Sequence, residues 1–357
     1  MWSGSIIASA LAAVAMASPS PVRRATTACN NSPSLCSKKY NEVTYLGAHN
    51  SYALRDDSTG NSIAGNQYLN ATKALDAGLR LLQVQTHEGN ATLELCHTSC
   101  SLLDAGPLTD WLADINTWLG ANPNEVVTLL MVNGDSAPAS TFASALESSG
   151  ISEHAYSASV DGPSSSWPTL QTMIDDDKRV VTFVTNVDYS SQTPTILPEF
   201  DYVFETAFDV TDISGFNCTL DRPSDLDDAS TAIGSGYMGL INHFKYQAIT
   251  TGVEIPDVDT LDTVNSNSNT TEGAIGTHLK QCSTQWGSAP TFALVDFWND
   301  GEALEAVDAI NAVTDATGRT AAESGSADDT SAVPGAAHGR MNAGALLVFV
   351  AASIMMI

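Results

Sequence analysis

The chain has 357 residues, with 14 Lys and Arg against 41 Asp and Glu, a formal charge of −27 and a 43% hydrophobic content. That apolar share suits a packed core and excludes a disordered chain, and the length allows one large domain or two small ones. A charge of this size and sign repels phosphate backbones and excludes nucleic acid as a partner.

Residues 1–17 read as a signal peptide. An apolar run from Ile6 to Ala17 closes on the small residues Ala15 and Ala17 before Ser18-Pro19. Residues 18–39 form an N-terminal segment in which Arg23-Arg24 is a candidate dibasic processing point. The six cysteines are Cys29, Cys36, Cys96, Cys100, Cys218 and Cys282, an even number suited to an oxidising compartment. Six cysteines allow fifteen pairings. Proximity favours Cys29 with Cys36 and Cys96 with Cys100, leaving Cys218 for Cys282. The grouping Cys96-His97-…-Cys100 offers only three local zinc ligands, so a disulfide is the expectation there. Five Asn-x-Ser/Thr sequons, at Asn30, Asn70, Asn90, Asn217 and Asn269, are candidate glycosylation sites.

From residue 40 to 315 apolar, β-rich runs alternate with helical patterns. Strands are expected at Val43–Ala48, Arg80–Val84, Val126–Val132, Val180–Thr185, Tyr202–Ala207, Met238–Ile241 and Thr291–Phe297. Their near-continuous apolar character is that of parallel strands covered on both faces. Helices are expected over Pro107–Leu119, with Leu108, Leu112, Ile115 and Leu119 on one stripe, and over Glu302–Ala312. Repeated β-then-α units predict one α/β domain of the TIM (β/α)8 type. The doubly wound alternative lacks a Gly-rich phosphate loop after any strand. Asp257 to Thr271, rich in Asn, Ser, Asp and Thr, reads as a loop.

After the barrel, residues 316–342 read as a flexible stalk, and residues 343–357 as an apolar tail too short for a comfortable membrane span. Small residues, a polar spacer and a terminal apolar tail are the parts of a GPI-attachment signal. The expectation is a secreted protein held at the cell surface by a GPI anchor, in the outer plasma-membrane leaflet or the cell wall.

Polar residues gather where the strands end, and barrel active sites are built there. The first strand ends in Gly47-Ala48-His49-Asn50-Ser51. The second carries Gln83, Gln85 and His87 on one face, opposite Arg80, Leu82 and Val84. A short run ends in Leu95-Cys96-His97, and a late strand in Asp296-Phe297-Trp298. Because imidazole titrates near neutrality, His49 and His97 are candidates for a paired base and acid. Arg80 reads as a structural ion-pair partner. Asp104 reads as a cap for the helix beginning near Pro107.

In order and spacing, Gly47-Ala48-His49-Asn50-Ser51, Gly78-Leu79-Arg80, Leu95-Cys96-His97 and Leu294-Val295-Asp296-Phe297 resemble the phosphatidylinositol-specific phospholipase C X-domain superfamily. The secreted, single-domain PLC-like phosphodiesterases of fungi are especially similar. The resemblance implies a distorted TIM barrel that cleaves a phosphodiester by attack of a neighbouring inositol hydroxyl. His49 then matches the general base, His97 the general acid toward the diacylglycerol oxygen, and Asp296 the carboxylate that orients the base. Asn50 falls where calcium-dependent members have a metal-ligating Asn.

The sequence also departs from that pattern. Gln83 and Gln85 stand where calcium-dependent relatives carry acidic ligands, and metal-independent bacterial relatives have an Arg at the Gln85 position. Hard cations want carboxylates, so no metal and no cofactor is expected. Losing the positive group would cost about 3–4 kcal/mol of transition-state stabilisation, the scale of one lost oxyanion donor. His87, His243 and Lys245 are candidate substitutes for that charge, and Trp298 a candidate stacking surface for a sugar. The expected substrate is a phosphoinositide or a glycosyl-phosphatidylinositol lipid. Two alternatives are a cell-surface binding protein that kept the barrel but lost turnover, and a glycoside hydrolase using Glu205 and Asp296.

Overall fold

The computed structural model describes Met1 and residues 28–322, apart from 91, 159–160 and 251–252. The expected signal peptide, the apolar tail and most of the stalk lie outside the described residues. The strands are β1 (Tyr45–Ala48), β2 (Leu81–Glu88), β3 (Leu93–Cys96), β4 (Asp104–Pro107), β5 (Val127–Asn133) and β6 (Val180–Val184). They continue with β7 (Ile196–Pro198), β8 (Val203–Glu205), β9 (Met238–Asn242), β10 (Tyr246–Thr250), β11 (Val253–Pro256) and β12 (Phe292–Val295). The helices are α1 (Ala71–Ala77), α2 (Leu108–Ala121), α3 (Ala139–Ser148), α4 (Leu170–Asp175) and α5 (Glu199–Tyr202). Then come α6 (Ala229–Gly234), α7 (Leu261–Val264), α8 (Ile275–Trp286) and α9 (Ala303–Asn311).

Eight strands run parallel in the order β7-β6-β5-β2-β1-β12-β9-β8, curling into a barrel whose ladder is open between β7 and β8. This is the expected distorted (β/α)8 architecture. Strand alternation sorts the apolar residues into two clusters. Leu46, Ala48, Leu82, Val84, Leu129, Met131, Ala293 and Val295 point outward, into the layer packed with Leu112, Ile115, Leu279 and Trp286 of the helices. Tyr45, Leu81, Leu130, Phe183, Leu240, Phe292 and Leu294 fill the lumen. The same parity carried one layer up turns His49, Gln83, Gln85, Asn242 and Asp296 toward the mouth. Gly47 lies between these layers, and a Cβ there would sit 2.6 Å from Leu81 and 2.8 Å from Leu294.

β3 and β4 depart from the repeat. β3 pairs antiparallel with β2, and β4 antiparallel with β3, so His97 is carried back toward the mouth on a side ribbon rather than a barrel strand. Asp104 belongs to β4 and accepts from the Gly106 N–H at 2.9 Å, so it does not cap α2. The β10–β11 hairpin and helices α3 and α8 go beyond the elements expected from periodicity, and α7 lies inside the stretch expected to be a loop. No helix among the described residues is long and apolar enough to cross a membrane.

The disulfides are Cys29–Cys36, Cys96–Cys100 and Cys218–Cys282, the pairing that proximity favours. Asn70, Asn90, Asn217 and Asn269 are exposed, whereas Asn30 is buried and its side-chain oxygen accepts from the Val126 N–H at 2.7 Å. Asn30 is therefore a structural residue rather than a glycan acceptor, because a sugar needs room that the packed site lacks. The chain after α9 stays docked further than expected. Thr317 N–H donates to Asn31, Thr320 N–H donates to Asp76, and Arg319 forms a two-pronged ion pair with Asp308. Any stalk therefore starts beyond Thr320.

Arg80 ties these pieces together in the ion-pair role its sequence position implies. Its guanidinium donates to Glu125 at 2.9 and 2.6 Å, to the Leu75 and Leu79 carbonyls, and to Asn31 at 2.6 Å. Arg80→Met leaves the Glu125 carboxylate buried and unpaired, a loss of about 3–5 kcal/mol. Urea unfolding of the variant measures it, and a change below about 1 kcal/mol refutes the structural role.

Candidate active site

The backbone N–H of His49 donates to the Val295 carbonyl at 3.0 Å, so the end of β1 is zipped to the end of β12. That register places His49 Nδ1 2.8 Å from Asp296 Oδ1, with both residues buried. A carboxylate accepts only, so Nδ1 carries the hydrogen and Nε2 keeps its lone pair. The Asn50 amide donates to that lone pair at 3.1 Å, and the His49 ring lies flat on Phe244 with centroids 3.7 Å apart. One face is thereby closed by hydrocarbon, and motion of the ring is confined.

A loop between β1 and α1 supplies the outer brace. Asn66 donates to Asp296 Oδ1 at 3.0 Å and accepts from Asn50 at 3.2 Å. Gln67 donates to the carbonyls of His49 and Val295 at 2.7 and 3.1 Å, and accepts from the Trp298 N–H at 3.2 Å. Asn265 donates to the carbonyls of Asp296, Phe297 and Asp300. Sequence reasoning missed these residues and Phe244. They reach the site from separate loops and belong to no short motif.

His97 is half-buried, and its Nδ1 has no hydrogen-bond partner. Burial, and then the nearby charge of His49, lower its pKa to about 4. The residue after each of the three candidate catalytic side chains has positive φ: Asn50 at 43°, Thr98 at 62° and Phe297 at 45°. That conformation is uncommon outside glycine and a true outlier for bulky or β-branched residues, so surrounding contacts must hold it.

Gln83 and Gln85 provide two of those contacts. Gln83 Oε1 accepts from the Asn50 N–H at 2.6 Å, and Gln85 Oε1 from the Thr98 N–H at 2.9 Å. Each glutamine pins the turn just after one histidine. Their oxygens are thus committed to backbone donors rather than turned to a substrate. Calcium needs several anionic oxygens, and this donor set does not fit it.

The candidate substitute cations are engaged elsewhere. His87 meets Asp135 at 3.3 Å, and Lys245 forms an ion pair with Asp257. His243 is buried, with Nδ1 2.9 Å from His278 Nδ1 and Nε2 on the Val264 carbonyl. Trp298 is buried in the layer outside the barrel and offers no open face for a sugar. Cys218, His278 and Cys282 lie together, but the disulfide uses both sulfurs. Glu205 is held by Arg222 and Asn242, while burial beside Glu205 pushes the Glu199 carboxyl well above the usual range. With Asp296 spent on His49, the two carboxylates are not arranged as a glycosidase pair.

Residues 35–311 match the family model PI-PLC X 1. PI-PLC X domain-containing protein 1 of Arthroderma benhamiae is 34% identical over 285 residues, covering 79% of this chain and 89% of that protein. A protein named uncharacterized secreted protein, from the same organism, is 36% identical over 282 residues. That match covers 77% of this chain and 61% of the relative. The phosphatidylinositol-specific phospholipase C of Listeria monocytogenes superposes with a TM-score of 0.51 at 12% identity, covering 78% of this chain and 95% of that one. A Staphylococcus aureus phosphatidylinositol-specific phospholipase C gives a TM-score of 0.50 at 16% identity, with 78% and 96% covered. These two likenesses concern the fold alone.

Burial also lowers His278 to about 4, against an ordinary histidine value near 6.5. A depressed histidine pKa means that the unfolded chain binds the proton first. Stability is then whole above about pH 6.5 and falls as the pH drops toward 4. Between pH 7.5 and 5 this histidine alone should remove about 2 kcal/mol. Thermal unfolding at the two values tests this; a melting temperature equal or higher at pH 5 contradicts the assignment.

Proposed function

The chain belongs to the PI-PLC X family and has the PLC-like phosphodiesterase fold, and on that premise we propose that it is an extracellular, metal-independent phosphodiesterase acting on inositol phospholipids or their glycosylated relatives. The observation that carries this reading is the His49–Asp296 hydrogen bond of 2.8 Å, with the turn after His97 pinned at 2.9 Å to Gln85 of β2.

The chemistry runs as an internal displacement. His49 Nε2 takes the proton of the inositol hydroxyl next to the phosphate, and the Asn50 amide gives up that lone pair to the substrate. The freed oxygen bonds to phosphorus. The bond to the lipid oxygen breaks, His97 protonates that oxygen, and a cyclic phosphate and diacylglycerol leave. Asp296 accepts from Nδ1 throughout, holding the tautomer and stabilising the imidazolium that forms. Resting His97 is neutral at pH 7, and the negative phosphodiester raises its proton affinity when it binds.

The GPI anchor, the secreted location and the glycans at Asn70, Asn90, Asn217 and Asn269 are part of the same proposal. A retained fold without turnover is the second reading, favoured by the absence of free positive charge on Gln83 and Gln85 and by the net charge of −27.

His49→Ala and His97→Ala should each lower turnover about 100- to 10,000-fold while the melting temperature stays near wild type. Release of inositol cyclic phosphate from phosphatidylinositol vesicles measures this, and an unchanged rate in either variant removes the mechanism. Wild-type binding of inositol phosphates with no turnover on any phosphodiester favours the second reading. EDTA should leave the rate unaltered; strong inhibition reversed by calcium refutes metal independence. In pH profiles, kcat/KM reports the free enzyme and should decline on the alkaline side from low pH, following His97. The kcat profile should extend to higher pH, because bound phosphate holds the His97 proton.

A further inference from the structure

Five arginines fall among the described residues, and Arg80, Arg179, Arg222 and Arg319 each form an ion pair with a carboxylate. Arg55 is the exception, in a chain with 41 acidic residues. It lies half-buried on the β1–α1 loop, its Nη2 donates to the Ile63 carbonyl at 2.7 Å, and its buried Nε has no acceptor. A guanidinium that is partly stripped of water and given no counter-charge is costly, and it calls for an anion to complete it.

The loop holds this residue beside the site. Leu54 bridges to Gln67, and Arg55 N–H donates to the Gln67 carbonyl at 2.8 Å. Arg55 is thereby fastened beside Asn66 and Gln67, the residues that brace Asp296 and His49. Gly65 makes the closure possible, since a Cβ there would lie 2.6 Å from the Leu54 carbonyl oxygen and 2.7 Å from the Arg55 nitrogen. The guanidinium sits 5.0 Å over the ring of Phe297, the residue after Asp296. Phe297 in turn packs against Tyr68 at 4.4 Å.

We infer that Arg55 supplies the positive potential that Gln83 and Gln85 cannot, by donating from its Nη nitrogens to the phosphate oxygens of a substrate held between His49 and His97. This rests on the phosphodiesterase reading above. A planar guanidinium suits that task because two parallel N–H donors match two oxygens of one phosphate, and the Phe297 face keeps the plane in orientation. The positive charge is delivered by a loop after β1 rather than by β2.

The test uses the full secreted protein and myo-inositol 1-phosphate as probe. Arg55→Met should lower turnover on phosphatidylinositol about 100-fold and abolish the rise in melting temperature caused by the probe, while Arg55→Lys recovers part of both. His49→Ala should lose turnover yet keep the probe-induced rise. In wild-type protein, the Arg55 Nε–H resonance should shift on titration with the probe, a readout that needs no variant to fold. Equal turnover and equal probe binding in Arg55→Met, or an Nε–H resonance that does not move while the probe binds, overturns the Arg55 assignment and leaves the phosphodiesterase reading standing. Wild-type protein that neither binds the probe nor cleaves the lipid removes both.

Discussion

The site depends on the backbone bond that ties the end of β1 to the end of β12. Once His49 N–H is on the Val295 carbonyl, the side chains one step further along each strand must face one another across the mouth. The 2.8 Å contact between His49 and Asp296 follows from that register, and a slip of one residue would send either side chain to the helical layer. The side chains around it hold this contact still. Phe244 closes one face of the ring, Asn66 shares the carboxylate oxygen, and Gln67 grips both strands by their carbonyls.

Gln83 and Gln85 have a structural duty at the mouth. Each amide oxygen receives a backbone N–H from a residue at positive φ, just after a candidate catalytic histidine. A buried amide that accepts one strong hydrogen bond is satisfied without a counter-ion, whereas a carboxylate there would need a metal or a cation beside it. On the proposed reading, these neutral amides leave the phosphate charge to be met from another direction. Arg55, the arginine without an ion pair on the loop that also holds Asn66 and Gln67, is the group inferred to meet it.

Several residue roles are legible in the amino-acid order itself. The alternation of β2 separates Gln83 and Gln85 from Leu82 and Val84, and Arg80 reads as an ion-pair partner because a lone charge beside apolar strands needs one. The short cysteine spacings limit the disulfides. Other roles are not legible there. Lys245, His87, His243 and Trp298 have suitable chemistry and stand near strand ends. Their partners Asp257, Asp135, His278 and the outer helical layer are remote or unmarked in sequence, and those partners decide what each side chain does. Asn30 carries a valid sequon, but the motif holds no information about burial.

The sequence alone determined the class of architecture, because hydrophobic periodicity and strand length are local properties that survive without a partner. It also determined which residue types could move protons, since imidazole and carboxylate chemistry is intrinsic. Which of those groups meet was decided only in three dimensions, by strand register, by the β1–α1 loop folding back through Gly65, and by an antiparallel ribbon that returns His97 to the mouth. Electrostatic contacts fall off over a few ångströms, and segments more than two hundred residues apart come that close only when the barrel closes.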